Sequence, residues 1–217
     1  MLIGERMSRP VITVRPDTPI QDALQLMRTE HIRRTPVVDD KGRLVGIVAE
    51  RDLLHASPSE ATSLSIWEVH YLLSKITVER IMTREVITVT EDTPIEEAAR
   101  IMADNKIGGV PVVRGTEVVG IVTETDLFKI FLELLGGREA GLRLSALVVD
   151  QPGEMAKLSS AIYRAGGNIL SLVIFLGEST ENRMVTAKVA GVDQAMLRKV
   201  VEPLVERIVD LRMTRAT

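Results

Sequence analysis

The first two thirds of this chain are written twice, and that constrains its fold more than any other feature. Met7-Ser-Arg-Pro-Val-Ile-Thr-Val14 returns as Met82-Thr-Arg-Glu-Val-Ile-Thr-Val89, and Asp17-Thr-Pro-Ile20 returns as Asp92-Thr-Pro-Ile95. Met27 matches Met102, Pro36-Val-Val38 matches Pro111-Val-Val113, Gly46-Ile-Val48 matches Gly120-Ile-Val122, and Asp52-Leu53 matches Asp126-Leu127. Motifs that recur in the same order and register mark a duplicated supersecondary unit, and such units complete their cores by packing on each other.

Each copy reads as β-α-β-β-α. Val11–Val14 is β-branched and short, as a strand should be. Thr18 suits a helix N-cap, with Pro19 at the first helical position and Gln21 closing a capping box; Thr93, Pro94 and Glu96 repeat the arrangement. Ile20, Ala23, Leu24 and Met27 fall on one helix face, as do Ile95, Ala98, Ala99 and Met102. Strands follow at Pro36–Val38 and Leu44–Val48, joined by the turn Asp39-Asp-Lys-Gly42, and a helix starts near Arg51. After the break at Ser57-Pro-Ser59, Ile66, Val69, His70 and Leu73, with Trp67 and Tyr71 beside them, predict a connecting helix over the module's apolar edge.

The last third follows a different pattern. Gly136-Gly137 is a linker signal. Leu142–Val149 predicts a strand, and Asp150-Gln-Pro-Gly153 a turn into a helix that faces Met155, Leu158 and Ile162 inward. Gly166-Gly167 stops that helix. Strands are expected at Ile169–Leu176 and Arg183–Val189, then a helix capped by Asp193 and carrying Leu197, Val200 and Val201, then a strand over Val205–Leu211. The order βαββαβ is ferredoxin-like. The fold class is α+β.

Composition narrows the function. Three Phe, two Tyr and one Trp cannot fill a core, so the core is aliphatic. The net charge of −3, without a basic stripe or helix-turn-helix signal, gives no reason to expect nucleic acid as a partner. The absence of cysteine excludes disulfides, thiol nucleophiles and cysteine-bearing zinc sites. No stretch approaches the roughly 20 apolar residues of a membrane span, and the N-terminus has no apolar signal core. The expectation is a cytoplasmic protein with no membrane and no metal. No Ser-His-Asp, zinc or P-loop pattern appears, and the carboxylates lie scattered along amphipathic helices, so no catalysis is expected.

The duplicated motifs resemble the CBS domain, which occurs in pairs called Bateman modules; the resemblance covers roughly residues 1–135. It implies two copies packed about a pseudo-twofold axis, with two clefts that often hold adenosine nucleotides (AMP, ADP, ATP or S-adenosylmethionine). Asp150-Gln-Pro-Gly153 with Gly167-Asn-Ile169 resembles the ACT domain over roughly residues 141–213, which implies binding of a small ligand, commonly an amino acid. The boundaries read as 1–60 for the first repeat, 61–80 for the connecting helix, 81–135 for the second repeat, 136–141 for the linker and 142–213 for the ACT-like domain. The order of domains, with His70-Tyr-Leu-Leu-Ser-Lys-Ile76, resembles bacterial acetoin-utilisation proteins of the CBS–ACT type and implies a role in acetoin or butanediol catabolism.

Candidate site residues follow from both sources. In Thr123-Glu-Thr-Asp126 the carboxylate suits ribose hydroxyls, while the threonine hydroxyl and the helix amides suit phosphate. The same Thr-x-x-Asp spacing is also that of an ordinary capping box. The first repeat keeps Asp52 but has Ala49 in place of the threonine. Arg33 and Arg34 suit phosphate through the planar arginine fork, where the second repeat has Gly108-Gly109. A composite site, with ribose contacts from one repeat and phosphate contacts from the other, is one arrangement these asymmetries allow. Val86, Ile87 and Thr88 are candidates for an apolar adenine slot. In the last domain Asp150, Gly153, Asn168 and Ile169 are candidates for amino-acid contacts, although Asp and Asn also serve turns. The leading expectation is a regulatory sensor that forms a homodimer and acts on an enzyme. The alternative is a ligand-free assembly subunit docked on a partner.

Overall fold

The computed structural model describes residues 1–56 and 75–216. The break at Ser57-Pro-Ser59 and the expected connecting helix around Ile66–Leu73 lie outside the described residues. The chain divides into two compact units, Met1–Leu127 and Phe128–Thr217.

In the first repeat, α1 (Ile20–Thr29) is followed by β1 (Arg34–Val38), β2 (Leu44–Ala49) and α2 (Glu50–His55). In the second, α3 (Ile95–Asp104) is followed by β3 (Gly109–Arg114), β4 (Glu117–Thr123) and α4 (Glu124–Leu134), which crosses the boundary between the units. The helices bury the stripe their periodicity dictates: Ile20, Ala23 and Met27 in α1, Ala98 and Met102 in α3. The threonines before them do not cap these helices. Pro19 and Pro94 occupy the N-cap positions, and the Thr18 and Thr93 hydroxyls instead accept from the amides of Arg15 (3.0 Å) and Thr90 (3.1 Å), closing the preceding turns.

The strands expected at Val11–Val14 and its copy shrink to single parallel bridges, Val14 to Val37 and Val89 to Val112. Proline explains this. Val14 donates to the Pro36 carbonyl and accepts from Val38, but Pro36 has no amide to extend the ladder upstream. The Thr35 hydroxyl takes over, donating to the Ile12 carbonyl at 2.5 Å.

The two repeats exchange their opening segments. Ile3 and Gly4 donate to the carbonyls of Thr93 and Glu91 in the second repeat, while Val78 and Glu79 donate to those of Thr18 and Pro16 in the first. Ser8 pairs with Ile121 of β4 and Thr83 with Ile47 of β2. Each core therefore holds side chains from both copies. Val78 and Met82 pack with Val14, Ile20, Val37 and Leu53, and Ile3 and Met7 pack with Val89, Ala98, Val110 and Val122. The repeated glycines make room for this exchange. A Cβ on Gly46 would lie 2.9 Å from Met82 Cγ, and one on Gly120 would lie 2.8 Å from Met7 Cγ. Ile3 and Val78 are fully buried, which is worth about 1.5–3 kcal/mol each and makes each copy depend on the other.

The second unit is a four-stranded antiparallel sheet with two helices, in the order β5 (Gly141–Val149), α5 (Glu154–Arg164), β6 (Asn168–Leu176), β7 (Asn182–Ala190), α6 (Gln194–Val201) and β8 (Arg207–Thr214). The strands lie in the order β6-β7-β5-β8, as the ferredoxin-like reading expects. One sheet face (Leu142, Leu144, Ala146, Val185, Ala187 and Val189) packs on Leu158, Ile162, Leu197 and Val201 of the helices. Asp193 caps α6 by accepting from the Met196 amide at 2.9 Å. Gly136 and Gly166 have positive φ and end α4 and α5 by paired backbone bonds, Gly137 to Leu132 and Gly136 to Glu133, and Gly167 to Ile162 and Gly166 to Tyr163. Among the described residues no helix is long and apolar enough to cross a membrane.

Candidate ligand cavity between the repeats

Hairpin register builds the site. Arg34 of β1 pairs with Ala49 of β2, and the Glu50 amide donates to the Arg33 carbonyl at 2.8 Å. The basic pair is thereby held beside the first turn of α2, where Asp52 sits. The second repeat repeats this frame with Gly109 opposite Thr123 and the Glu124 amide on the Gly108 carbonyl (3.1 Å).

Residues of both repeats line a cavity of about 510 Å³. Arg33, Arg34, Ala49 and Asp52 come from the first repeat, and Val86, Ile87, Gly108, Gly109 and Glu124 from the second. Ile47, Ile107 and Pro111 add apolar wall, and Glu50, Arg51, Glu85 and Lys106 add charge. Five of the eight candidate nucleotide-site residues thus meet here: Arg33, Arg34, Asp52, Val86 and Ile87. Thr88, Thr123 and Asp126 do not line this cavity. The carboxylate that shares this cavity with the basic pair is Asp52 of the same repeat, and Asp126 is not among its lining residues.

The two carboxylates differ in what they already hold. Asp126 is buried and takes three donors: the Thr123 amide (2.9 Å), the Thr123 hydroxyl (2.7 Å) and the Ser8 hydroxyl (3.2 Å). Asp52 is half-buried and takes one hydrogen bond among the described residues, from the Ala49 amide at 3.2 Å. A carboxylate offers about four acceptor sites, so among the described residues most of the Asp52 acceptor capacity is unused.

Arg34 has the opposite deficit. Its Nη1 is buried without a hydrogen-bond partner, the one such side-chain atom among the described residues. Burial lowers the Arg34 pKa from its ordinary value; Glu124 opposes the shift and Arg33 adds to it. An arginine so placed stays protonated, and a buried unpaired donor costs about 1–3 kcal/mol until an acceptor reaches it. Ile87 exposes an apolar side chain into the same space. The cavity lining thus brings together apolar side chains, a carboxylate with unused lone pairs among the described residues and an arginine, one of whose donors is buried and unpaired.

Sequence reasoning missed Glu124, Lys106 and the glycine pair as wall residues. Glu124 was legible inside Thr123-Glu-Thr-Asp126, but its approach to Arg34 of the other copy depends on how the copies pack.

The candidates in the second unit do not gather within one chain. Asp150 and Gly153 lie beyond the end of β5, which pairs with the start of β7, whereas Asn168 and Ile169 start β6, which pairs with its end. Eight residues of strand, roughly 27 Å at 3.4 Å each, separate the two groups. The Asp150 carboxylate accepts from Arg183 Nε at 2.8 Å, Gly153 adopts a left-handed φ of 93° at the start of α5, and Ile169 packs against the core. Among the described residues no group of three His, Cys, Asp or Glu is arranged to hold a metal ion.

Comparison with known proteins locates the likeness in the first unit. A solved CBS domain pair in complex with 5′-methylthioadenosine and S-adenosyl-L-methionine is 35% identical, with a TM-score of 0.52, over 64% of this chain and 98% of that one. A structure from Vibrio cholerae assigned to acetoin utilization is 32% identical, with a TM-score of 0.53, over 64% and 96%. A CBS-pair protein, CBSX2, in complex with AMP is 29% identical, with a TM-score of 0.52, over 61% and 97%. An L-aspartate semialdehyde sulfurtransferase of Methanocaldococcus jannaschii is 36% identical over 60% of this chain, which spans 23% of that protein's length. The CBS domain model matches residues 3–59 and 78–133, more than half of the sequence, and the chain belongs to the CBS domain family.

Proposed function

We propose that this chain is a regulatory sensor and not an enzyme, and that it binds an adenine nucleotide in the cavity between its repeats. The observation that carries the reading is the pairing of Asp52, with its open lone pairs, with the unsatisfied Arg34 across an apolar slot containing Val86 and Ile87. Ribose hydroxyls suit the carboxylate, a phosphate suits the guanidinium, and a base suits the slot. Related CBS pairs held with S-adenosyl-L-methionine, 5′-methylthioadenosine or AMP support the ligand class. Ligand would bias the packing of the interlocked repeats through its differential affinity for two arrangements. The second unit, with its βαββαβ order, Asp150-Gln-Pro-Gly153 and Gly167-Asn-Ile169, serves as an ACT-like domain that binds an amino acid. Because Asp150 and Asn168 lie far apart in one chain, that site needs a second copy, which fits a homodimer. The likeness to the Vibrio cholerae structure supports a place in acetoin or butanediol catabolism, acting on a partner enzyme.

Calorimetric titration of the whole chain with AMP, ADP, ATP, S-adenosylmethionine and 5′-methylthioadenosine tests the reading. At least one should saturate, and at 100 times its dissociation constant it should stabilise the fold by about 2.7 kcal/mol. Asp52→Ala should weaken it about ten- to a hundredfold. Failure of every adenine compound at millimolar concentration would overturn the sensor reading in favour of a docking subunit. The exposed Phe128 (67%) and Phe131 (50%) of α4 suit that second role.

A further inference from the structure

We propose that the trough between α5 and α6 of the second unit is the docking surface for a partner protein, and that it takes an amphipathic helix whose apolar stripe is flanked by aspartate or glutamate. This rests on the part of the proposed function in which the chain acts on a partner, and it is independent of the nucleotide cavity.

The trough has a volume of about 870 Å³ and is lined by residues of the second unit alone. Helical spacing makes it. Ala156, Ser160, Ala161 and the C-cap residue Ala165 follow one flank of α5, so between its cations that flank carries nothing longer than a serine. Met196 and Val200 of α6, with Leu204 just beyond it, form the other wall. The helices are held on the sheet by Leu158, Ile162, Leu197 and Val201, and none of the four small residues belongs to that core. Small side chains between two helices let a third helix approach closely, because interaxial distance follows side-chain size at the contact. From Ala156 to Ala165 the channel runs about 14 Å, two to three turns of helix.

Charge sets what that helix must carry. Lys157, Arg164 and Lys199 line the trough, and no carboxylate does. Lys157 is clasped by Glu154 at 2.6 Å, but Arg164 and Lys199 have no ion pair among the described residues. Every arginine of the sheet strands, by contrast, is paired: Arg143 and Arg212 with Asp210, Arg183 with Asp150, and Arg207 with Glu178. Unpaired cations facing one recess give a locally positive surface on a chain of net charge −3. Arg164 and Lys199 stand on opposite walls, so acidic residues on both flanks of an apolar ridge would each meet a cation. A free anion would leave the apolar wall wet, Met196 (42% exposed) included, whereas an apolar stripe removes it from water. A bilayer is flat and does not enter a recess between two helices, and a duplex draws its affinity from more phosphate contacts than these cations supply.

The probe is a synthetic helical peptide of about 16 residues with a leucine and alanine stripe flanked by glutamates, titrated into the whole isotope-labelled chain. The same peptide with lysines for glutamates, and a scrambled one without the stripe, are the comparisons. The glutamate peptide should saturate, with amide shifts confined to residues 156–165 and 196–204, and should weaken as salt is raised. The other two peptides should bind at least about tenfold more weakly. Reversing two exposed cations, Arg164→Glu with Lys199→Glu, should cost the glutamate peptide about tenfold or more and make the lysine peptide the better ligand. Ser160→Leu, which fills the trough from an exposed position, should weaken the glutamate peptide by a similar factor, with thermal unfolding confirming that the variants are folded. No saturation by about 1 mM, equal binding of the glutamate and lysine peptides, or a glutamate peptide indifferent to the charge reversal overturns the inference. Phosphatidylglycerol vesicles that bind in place of the peptide, and are lost on charge reversal, overturn it in favour of a membrane. AMP and S-adenosylmethionine titrated into the same samples separate the two readings: adenine binding without peptide binding leaves the sensor standing and removes the docking surface, and the reverse outcome does the opposite.

Discussion

The two repeats share a frame and spend the same carboxylate differently. Asp126 is closed into its own repeat and the borrowed Ser8, with three protein donors on two oxygens. Asp52, at the matching place, has one among the described residues; Ala49 supplies an amide and no hydroxyl, which accounts for one of the two donors it lacks. One duplicated motif has thus become a structural knot in one copy and an open acceptor in the other. On the proposed reading, the missing hydroxyl at Ala49, which looks like damage to a binding motif, helps to leave Asp52 open to a ligand.

Swapping which carboxylate is removed breaks the comparison most sharply. Asp126→Ala strands the Thr123 amide and the Ser8 hydroxyl beside a buried site. It should cost about 1–3 kcal/mol of stability, with ligand affinity at the Asp52 cavity nearly unchanged. Asp52→Ala removes a half-buried group with one bond. It should cost under about 1 kcal/mol while abolishing most of the binding. Denaturant unfolding and titration on the same two variants separate the roles, and a ligand lost on Asp126→Ala but kept on Asp52→Ala would invert the assignment.

A gentler test converts one repeat into the other. Ala49→Thr should give Asp52 the hydroxyl donor that Thr123 gives Asp126. The expected result is a gain of about 0.5–1.5 kcal/mol in stability together with weaker ligand binding, about three- to tenfold. If the added hydroxyl instead tightens binding, the threonine works on the ligand directly and the open-carboxylate argument fails.

The frame was legible in the sequence because duplication and periodicity are local properties. Ile20, Ala23 and Met27, the turn at Gly42, and the βαββαβ order all follow from spacing within one element or its neighbour. The partition of the site was not legible in the same way. Asp52 joins Arg33 and Arg34 through the local β1–β2 register, but which residues of the second repeat complete their cavity, Val86, Ile87 and Glu124 among them, depends on contacts between segments far apart in sequence. The misplaced caps have a more local cause. Thr18 and Thr93 have the right chemistry for an N-cap, but the turn that the exchanged segment docks on uses their hydroxyls first, with Val78 donating to the Thr18 carbonyl and Ile3 to that of Thr93.

The smallest difference lies at the hairpin tips, where pH should tell the repeats apart. In the first repeat Asp39 accepts from the Lys41 and Arg43 amides and, at 2.7 Å, from Arg43 Nε. The Arg43 side-chain bond, then the backbone bonds, hold its carboxyl at about 2, below the ordinary 3.8. The second repeat has Arg114 at the matching position and turns at Gly115, so no carboxylate closes that hairpin. Its own depressed carboxyls lie elsewhere: Asp92 is held by the Thr90 hydroxyl in the turn before α3, and Glu97 by Arg100 on α3. The sign follows from linkage: a carboxyl lowered by folding stabilises the fold fully above its ordinary value, and that contribution fades as pH falls from about 4 through about 2. The group is exposed, so the effect should be small and screened by salt. Side-chain carbon shifts titrated from pH 5 to 1.5 should place Asp39 near 2, and Asp39→Asn should flatten the acid limb of the stability curve without touching binding at neutral pH. An Asp39 that titrates near 4 would mean that the Arg43 clasp is open in solution and that the two hairpins differ in sequence but not in electrostatics.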